Sequence, residues 1–505
     1  MFKKSSGKDK KLATDPERLG SAPVGKLLLE FSIPAIIMMV FNTLYNIVDT
    51  IFLGYAVPVV GVAVTTLAFP VMTVLMGFSM LAGQGGSALA AIQMGQGDRN
   101  KVEWTLGNTA MLLFGMSLVV AVLAFVAIDP LLALIGATKD PSLTEPTRQF
   151  VQIICAGFAF QSLGMGLNNF LRTAGKPNLS LATGVFGTVM CVVFNYIFVM
   201  VMGMGVPGSA LATVIGQLFG AIPVLWYFIA SETTPFRLRI LCLRPRLKLC
   251  RRITSLGVAS FAMQVAGTLV GIVFNQVINV YGPTDPIGIA GALSSIGVAQ
   301  KVCMFCFTPL IGLTMGAQPI FGFNYGAKNW QRVLTCFKLS VGVAVAIGAV
   351  FLLCAYVIPY PMVGLFGVTG QYQEFSVWAL QVMCILFPPV GYQIVGSNYF
   401  QASGQPMKAT ILELTRQVIF LTPLYVIMPP LMHNLFGMPY LHSVVFAAPV
   451  SDALSICVTT VFVIYEIRKL RRLRDEQAVQ TAAATSPAVP ADPSPNAAVG
   501  TDGAA

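Results

Sequence analysis

Long apolar stretches, separated by short polar segments, recur along the chain from Leu27 to the region of Ile467. Each is close to the ~20 residues with which a helix crosses about 30 Å of hydrocarbon. They lack the period-two alternation of a membrane β-barrel, and in lipid only helices or closed barrels satisfy all backbone polar groups. The pattern therefore predicts about twelve membrane-spanning helices. We place them near residues 27–53, 61–92, 103–128, 147–171, 179–203, 207–230, 253–281, 288–320, 334–359, 376–401, 410–429 and 443–467.

Composition supports this interpretation. The chain is 56% hydrophobic and 10% charged, and its mean hydropathy is +0.76, whereas a soluble domain carries roughly a quarter charged residues. The first apolar stretch continues into a second one without a small-residue cleavage site, so we expect it to remain as an anchor. The expected fold class is an all-α integral membrane protein.

Basic residues are concentrated in three segments, and this gives a topology. The net charge of +11 comes largely from the region before the first helix, one loop near the middle and the region after the last helix. The positive-inside rule makes all three cytoplasmic, with both termini inside and an even number of crossings. We therefore expect a membrane surface, and no nucleic acid, as the partner of these charges. The basic residues are Lys3, Lys4, Lys8, Lys10, Lys11, Arg18, Arg237, Arg239, Arg244, Arg246, Lys248, Arg251, Arg252, Arg468, Lys469, Arg471, Arg472 and Arg474.

The two halves of the chain resemble each other. The segment 85–102 aligns with 316–333, and Asn169–Pro177 aligns with Asn398–Pro406, each pair at a predicted cytoplasmic helix end. Corresponding loops on one side of the membrane imply parallel repeats with an even number of crossings each. We expect two pseudo-symmetric lobes of six helices. The predicted divisions are a basic N-terminal segment (1–26), an N-lobe (27–231), a basic interlobe loop (232–252), a C-lobe (253–467) and a basic, then disordered tail (468–505).

Asp49 is the main candidate for a functional charge. It lies deep in the first apolar stretch, where charge is costly, so it is a functional candidate by default. Asn42, Tyr45, Asn46 and Asp49 share one helix face because they are three and four residues apart. A carboxylate held in a low-dielectric cavity can exchange a proton or donate oxygens to a sodium ion. Either process would couple transport to an ion gradient. The alternative is a structural Asp bonded to neighbouring Asn and Tyr side chains.

Other polar residues at membrane depth are candidates for a substrate path. Lys301, Arg416 and Asp452 lie inside predicted helices, and either ion pairing or contact with substrate would explain them. Glu413 lies nearer a helix end and is expected at the membrane interface. Amides in this set fit a water-filled cavity, although interhelical hydrogen bonding explains most such residues. These amides are Gln161, Asn168, Gln264 and Asn275.

Several motifs resemble the multidrug and toxic compound extrusion (MATE) family, and specifically its MepA-like bacterial branch, over roughly 19–470. They are the segment 33–36 (IPAI) with 45–54 (YNIVDTIFLG), and the segments 205–213, 316–328 and 449–452. The resemblance implies an antiporter with two six-helix lobes that exports amphipathic, often cationic drugs in exchange for protons or sodium. It also assigns the cation-coupling role of the family's first-helix aspartate to Asp49.

One departure from the family pattern concerns the fifth helix. Many relatives have Asn and, four residues later, Asp there, whereas this chain has Cys191 and Asn195. The loss of one carboxylate favours protons over sodium. The resemblance thus gives Asp49, Asn46 and Asn195 as the cation-coupling residues.

These observations together predict an exporter of drugs or dyes that works by alternating access, with the first helix repacking at Pro34. We expect it to act as a monomer in the bacterial cytoplasmic membrane, to contribute to antibiotic resistance and to need no cofactor or bound metal besides its coupling ion, H⁺ or alternatively Na⁺. The rival within transport is a flippase for lipid-linked precursors or another solute exporter. An enzyme is not expected, because the only histidines, His433 and His442, fall in a predicted outer loop and no catalytic constellation accompanies them.

Overall fold

The computed structural model describes residues 18–57, 60–135, 137–139, 141–284, 286–366 and 369–485. Every regular element in these ranges is helical, and the long helices match the predicted spans one for one. They are α1 (Val24–Ala56), α2 (Val60–Gly95), α3 (Arg99–Val126), α4 (Pro141–Thr173), α5 (Pro177–Asn195, continued by a π-helix, Tyr196–Val201), α6 (Gly205–Ala230), α7 (Leu247–Tyr281), α8 (Gly288–Gly326), α9 (Trp330–Val357), α10 (Gln371–Cys384 and Phe387–Ala402), α11 (Pro406–Leu414, a π-helix Thr415–Leu421, and Thr422–Phe436) and α12 (Tyr440–Thr485).

Two helices differ from the prediction in a way that hydropathy does not report. The two segments of α10 meet at an angle of 52°, because Pro388 and Pro389 supply no backbone N–H and push the preceding residues out of helical geometry. The last helix continues to Thr485, well past the predicted end at 467. An (i, i+4) ion pair of 2.8 Å between Arg472 and Glu476 supports this extension. The predicted tail is thus helical as far as Thr485, and residues 486–505 lie outside the described part.

The internal repeat is visible in the backbone. Gly175 and Gly404, which align in the repeat, both adopt left-handed φ values, +78° and +80°, at the turns α4–α5 and α10–α11. A short helix also follows the third helix of each half, Ile128–Leu134 in one and Pro359–Gly364 in the other. These matching details confirm two pseudo-symmetric halves, α1–α6 and α7–α12.

The halves meet along α1 against α8 and α2 against α7. We call the end of the bundle where α2 and α8 terminate, near Lys101 and Arg332, the basic end. The backbones touch in the half of the bundle toward this end: a β-carbon added to Gly257 of α7 would lie 1.7 Å from the carbonyl oxygen of Leu81 in α2. Ser260 Oγ also donates to Gln84 Oε1 across the interface at 2.7 Å. The lobes are therefore closed against each other toward the basic end.

Candidate functional site

Exposed side chains on the facing helices mark a cleft between the lobes on the side away from the basic end. The hydroxyl oxygens of Thr43 in α1 and Thr308 in α8 lie 3.4 Å apart, which marks the faces of these helices that meet. Lys301 precedes Thr308 by seven residues, two helical turns, and so lies on the same face of α8. Its side chain is exposed, and so are those of Met304 and Phe305. This face therefore lines an open space.

The corresponding face of α7 is polar. Gln264 lies at the interlobe contact, since its β-carbon would be 3.4 Å from one added to Gly77 of α2. Asn275 follows eleven residues later, about three turns, on the same face, and it is exposed whereas Gln264 is half-buried. Thr268 lies between them and is also half-buried. An exposed amide on an interlobe face points to a wet cleft rather than to lipid.

The N-lobe contributes hydroxyl and amide groups to the opposite wall. Asn42, next to Thr43, is exposed at the side of α1 near the cleft. On α2, Thr66 precedes Gly77 by eleven residues and is exposed, and Thr73 lies between them. The cleft thus has polar groups on all four central helices, with apolar groups such as Met304 beside them.

The predicted coupling residues lie on α1 and α5. The side chains of Tyr45, Asn46 and Asp49 are outside the described part of the structure, although α1 is helical through them. Phe52, one turn farther along α1, has its ring centroid 6.5 Å from that of Tyr196 in α5. The α1 turn that contains Asp49 is therefore close to the α5 turn that contains Asn195. Asn195 itself is 1% exposed.

Arg416 and Asp452 form an ion pair inside the C-lobe. Arg416 Nε donates to Asp452 Oδ1 at 2.7 Å, and the carboxylate side chain is only 7% exposed. Ser451 Oγ donates to the carbonyl of Arg416 at 2.7 Å, and the guanidinium lies 4.9 Å from the ring centroid of Phe307. Of the two alternatives for these charges, ion pairing is thus present for Arg416 and Asp452, whereas Lys301 makes no ion pair with any described carboxylate.

The ion pair belongs to a polar layer that sequence analysis did not identify. Glu413 accepts a hydrogen bond from Ser397 Oγ at 2.6 Å, so its carboxylate points into the bundle. Ser455 Oγ donates to Gln393 Oε1 at 3.3 Å in the same lobe. These residues join α10, α11 and α12. In the sequence, only the spacing of polar positions along α12 could have indicated this layer, because the side chains that bond to one another belong to different helices.

Helices α5 and α11, which carry Asn195 and Arg416, each contain a π-helical segment. The one in α5 begins directly after Asn195, and the one in α11 contains Arg416. Such segments widen the helix locally and occur frequently at functional sites. Nothing in the apolar pattern of the sequence distinguishes them from ordinary α-helix.

Two amides of the predicted substrate path lie on α4. Gln161 is half-buried. Asn168 is buried, and its amide donates to the carbonyl of Ser180 at 3.0 Å and to Thr183 Oγ1 at 2.8 Å. Arg172 donates to the Asn168 side chain as well. Asn168 thus ties α4 to α5, and its part in a substrate path stays a prediction.

The fold and the cleft define a polytopic helical membrane protein whose two six-helix halves face each other across polar side chains. The family model MatE matches residues 34–197 and 261–427, one segment in each half, and the chain belongs to this family. The resemblance found in the sequence motifs is thereby confirmed.

Individual relatives cover nearly the whole chain. Multidrug export protein MepA of Staphylococcus aureus (strain MRSA252) is 24% identical over 452 residues, which are 88% of this chain and 95% of that protein. The MepA protein of Staphylococcus haemolyticus is 24% identical over 450 residues, 88% and 94% of the two chains.

Solved structures share the fold. An outward-facing multidrug resistance MATE family transporter of the MOP superfamily has a TM-score of 0.81 at 19% identity, over 93% of this chain and 99% of that one. A MOP superfamily transporter from Pyrococcus furiosus, described as having a binding pocket of reversed polarity, has a TM-score of 0.80 at 21% identity, over 93% and 100%.

Proposed function

We propose that the protein exports amphipathic small molecules, drugs and dyes among them, across the bacterial cytoplasmic membrane in exchange for an ion. The observation that carries this proposal is the interlobe cleft, in which exposed polar groups such as Asn275 alternate with the apolar Met304 and Phe305. A wall of that kind suits ligands with both apolar and polar parts. Family membership and relatives named multidrug export proteins support the same function.

Coupling to protons is the second part of the proposal, with sodium as the alternative. Asp49 of α1 would take up and release the ion, with Asn46 and Asn195 beside it. The amide at position 195, where many relatives have a carboxylate, supports protons, because sodium prefers several anionic or carbonyl oxygens.

Alternating access would connect the ion to the cleft. Packing toward the basic end, at Gly257 against Leu81, supports a state that is closed on one side and open on the other. The positive-inside rule assigns the closed side to the cytoplasm. Protonation would then repack α1, with Pro34 as the point where the helix lacks a backbone hydrogen bond.

The test is dye efflux from proteoliposomes under an imposed pH gradient or sodium gradient. The wild type should respond to the pH gradient, and Asp49→Asn should lose that response while still binding dye. Asn100→Ala, an exposed amide in the first turn of α3 at the basic end, is the control and should keep gradient-driven efflux. Efflux by Asp49→Asn at the wild-type rate would refute the coupling role.

A second candidate function is export of an anionic solute or a lipid-linked precursor. Lys301 favours it, because an exposed ammonium group on the cleft wall without a described carboxylate partner would attract anions. Transport of an anionic and a cationic dye of similar size distinguishes the two functions. Under the second, Lys301→Gln should impair transport of the anion selectively, whereas under the first it should leave cationic export intact or faster.

A further inference from the structure

The interlobe loop is an ordered structure docked on the N-lobe. Asn108 of α3 is fully buried, and its amide donates to the carbonyl of Cys242 at 3.2 Å while its oxygen accepts from the backbone N–H of Arg246 at 2.8 Å. Arg239 pairs with Glu103 at 3.2 Å. The Arg246 guanidinium lies over the Trp104 ring, 3.3 Å from its centroid. Residues 239–246 are therefore held at both ends against α3.

This docking sets the depth of the loop along the membrane normal. Asn108 is nine residues beyond Arg99, the first residue of α3, so it lies about 13 Å along the helix. The carbonyl of Cys242 is bonded at this level. The loop therefore reaches below the helix ends toward the boundary between headgroups and hydrocarbon.

Large apolar side chains project from the docked loop. Cys242 is buried, but Ile240 is 87% exposed, Leu241 59% and Leu247, the first residue of α7, 84%. Exposed apolar groups of this size are rare on a surface that faces only water unless they contact a partner. Here they lie between two membrane-spanning helices, α6 and α7.

Basic side chains surround the apolar ones. Apart from Arg239 and Arg246, which contact α3, these basic side chains are exposed and make no ion pair with a described carboxylate. Apolar side chains at the level of the interface with cationic groups around them are the signature of a segment that inserts into an anionic leaflet. These basic residues are Arg237, Arg244, Lys248, Arg251 and Arg252.

We propose that residues 237–252, the docked loop together with the start of α7, form an interfacial anchor in which Ile240, Leu241 and Leu247 insert among lipid tails while the surrounding Arg and Lys side chains bind anionic phospholipid headgroups. Because residues 239–246 are fixed to α3, the anchor would tie the N-lobe to that leaflet.

Insertion is tested by fluorescence quenching in nanodiscs that contain brominated phospholipid. Tryptophan placed by Ile240→Trp should be quenched, whereas Val479→Trp, also exposed but on the α12 extension, should not be. The difference from the unsubstituted protein removes the signal of the four native tryptophans. Equal, negligible quenching at both positions would overturn the proposal.

Headgroup binding is tested by hydrogen exchange of residues 238–247 in nanodiscs of phosphatidylcholine with or without phosphatidylglycerol. Phosphatidylglycerol should slow exchange several-fold at low salt. A variant with Arg237→Gln, Arg244→Gln and Lys248→Gln should lose this effect, whereas Arg471→Gln with Arg472→Gln should keep it. All of these side chains are exposed, and unchanged thermal unfolding verifies the fold.

Two results would contradict the headgroup assignment. Exchange that is equal with and without phosphatidylglycerol excludes anionic lipid as the ligand. Protection by soluble polyphosphate in pure phosphatidylcholine, as strong as that by phosphatidylglycerol, would assign the basic residues to a soluble polyanion instead. Neither measurement involves transport, so the outcome is independent of the proposed export function.

Discussion

Arg416 donates a 2.7 Å hydrogen bond to Asp452, and this pair has no counterpart at the equivalent place in the N-lobe. Continuing the Asn169/Asn398 alignment without gaps puts Gly187 opposite Arg416 and Gly184 opposite Glu413. In the N-lobe, α5 uses Gly187 for close packing: a β-carbon there would lie 3.1 Å from the carbonyl oxygen of Gly216 in α6. One half therefore packs glycine where the other carries a buried ion pair, although the two share a fold.

Removal of one partner of this pair should be costly. Arg416→Gln leaves the Asp452 carboxylate buried without its cation, and we expect the free energy of unfolding to fall by about 3 kcal/mol. The double variant Arg416→Gln/Asp452→Asn should recover part of that loss, because no uncompensated charge remains. Thermal unfolding in detergent measures both. A change of less than about 0.5 kcal/mol in Arg416→Gln would show that the pair does not stabilise the fold.

The turn between α2 and α3 requires glycine. Gly97 has φ +78°, and no atom lies within 4 Å of a β-carbon added there, so Gly97→Ala tests backbone strain alone. We expect a loss of about 1 kcal/mol in stability. Gly115→Ala, in the interior of α3 and equally unobstructed, is the control and should be neutral or stabilising. An equal effect at both positions would contradict the role of φ.

A different result is expected at the aligned position in the C-lobe. Lys328 occupies it with φ +58°, the one non-glycine with positive φ among the described residues. Lys328→Gly relieves this strain while adding freedom to the unfolded chain, so we expect a change in stability near zero. Thermal unfolding measures both variants. The midpoint of Gly97→Ala should fall below that of Lys328→Gly.

The buried amide of Asn108 contributes to the docking of the interlobe loop. Asn108→Ala leaves the Cys242 carbonyl and the Arg246 N–H without their partner, a loss of about 1 to 3 kcal/mol. The loop should then open locally, and trypsin should cleave after its basic residues faster than in the wild type. Asn100→Ala, exposed in the first turn of α3, should be cleaved at the wild-type rate. Unchanged cleavage of Asn108→Ala would mean that other contacts hold the loop.

The sequence predicted the fold well because membrane burial leaves a simple signal. Apolar stretches of span length identified all twelve long helices, and the Gly-Pro motifs at 175–177 and 404–406 identified the repeat. The break of α10 and the extension of α12 were not predicted. Hydropathy averages over a window and does not report proline geometry or helix that continues outside lipid.

The site was predicted only in part, because polar contacts between helices depend on their packing. For Asp452 and Arg416 the sequence left ion pairing and substrate contact as alternatives, and the structure pairs the two side chains. The buried position of Asn168 in the α4–α5 hairpin could not be read from its own segment, since its partners Ser180 and Thr183 belong to the next helix.

The central claim is that the cleft between the lobes is the path of the exported molecule and is open away from the basic end. The most direct test is alkylation of Lys301→Cys in intact cells by a membrane-impermeant thiol reagent, read at this peptide by mass spectrometry so that the ten native cysteines do not interfere. Val479→Cys, exposed on the α12 extension beyond the basic end, is the control and should react only in inverted vesicles. The account predicts modification of Lys301→Cys from outside the cell and protection by an exported dye. Modification that occurs only in inverted vesicles, or that dye leaves unchanged, would contradict it.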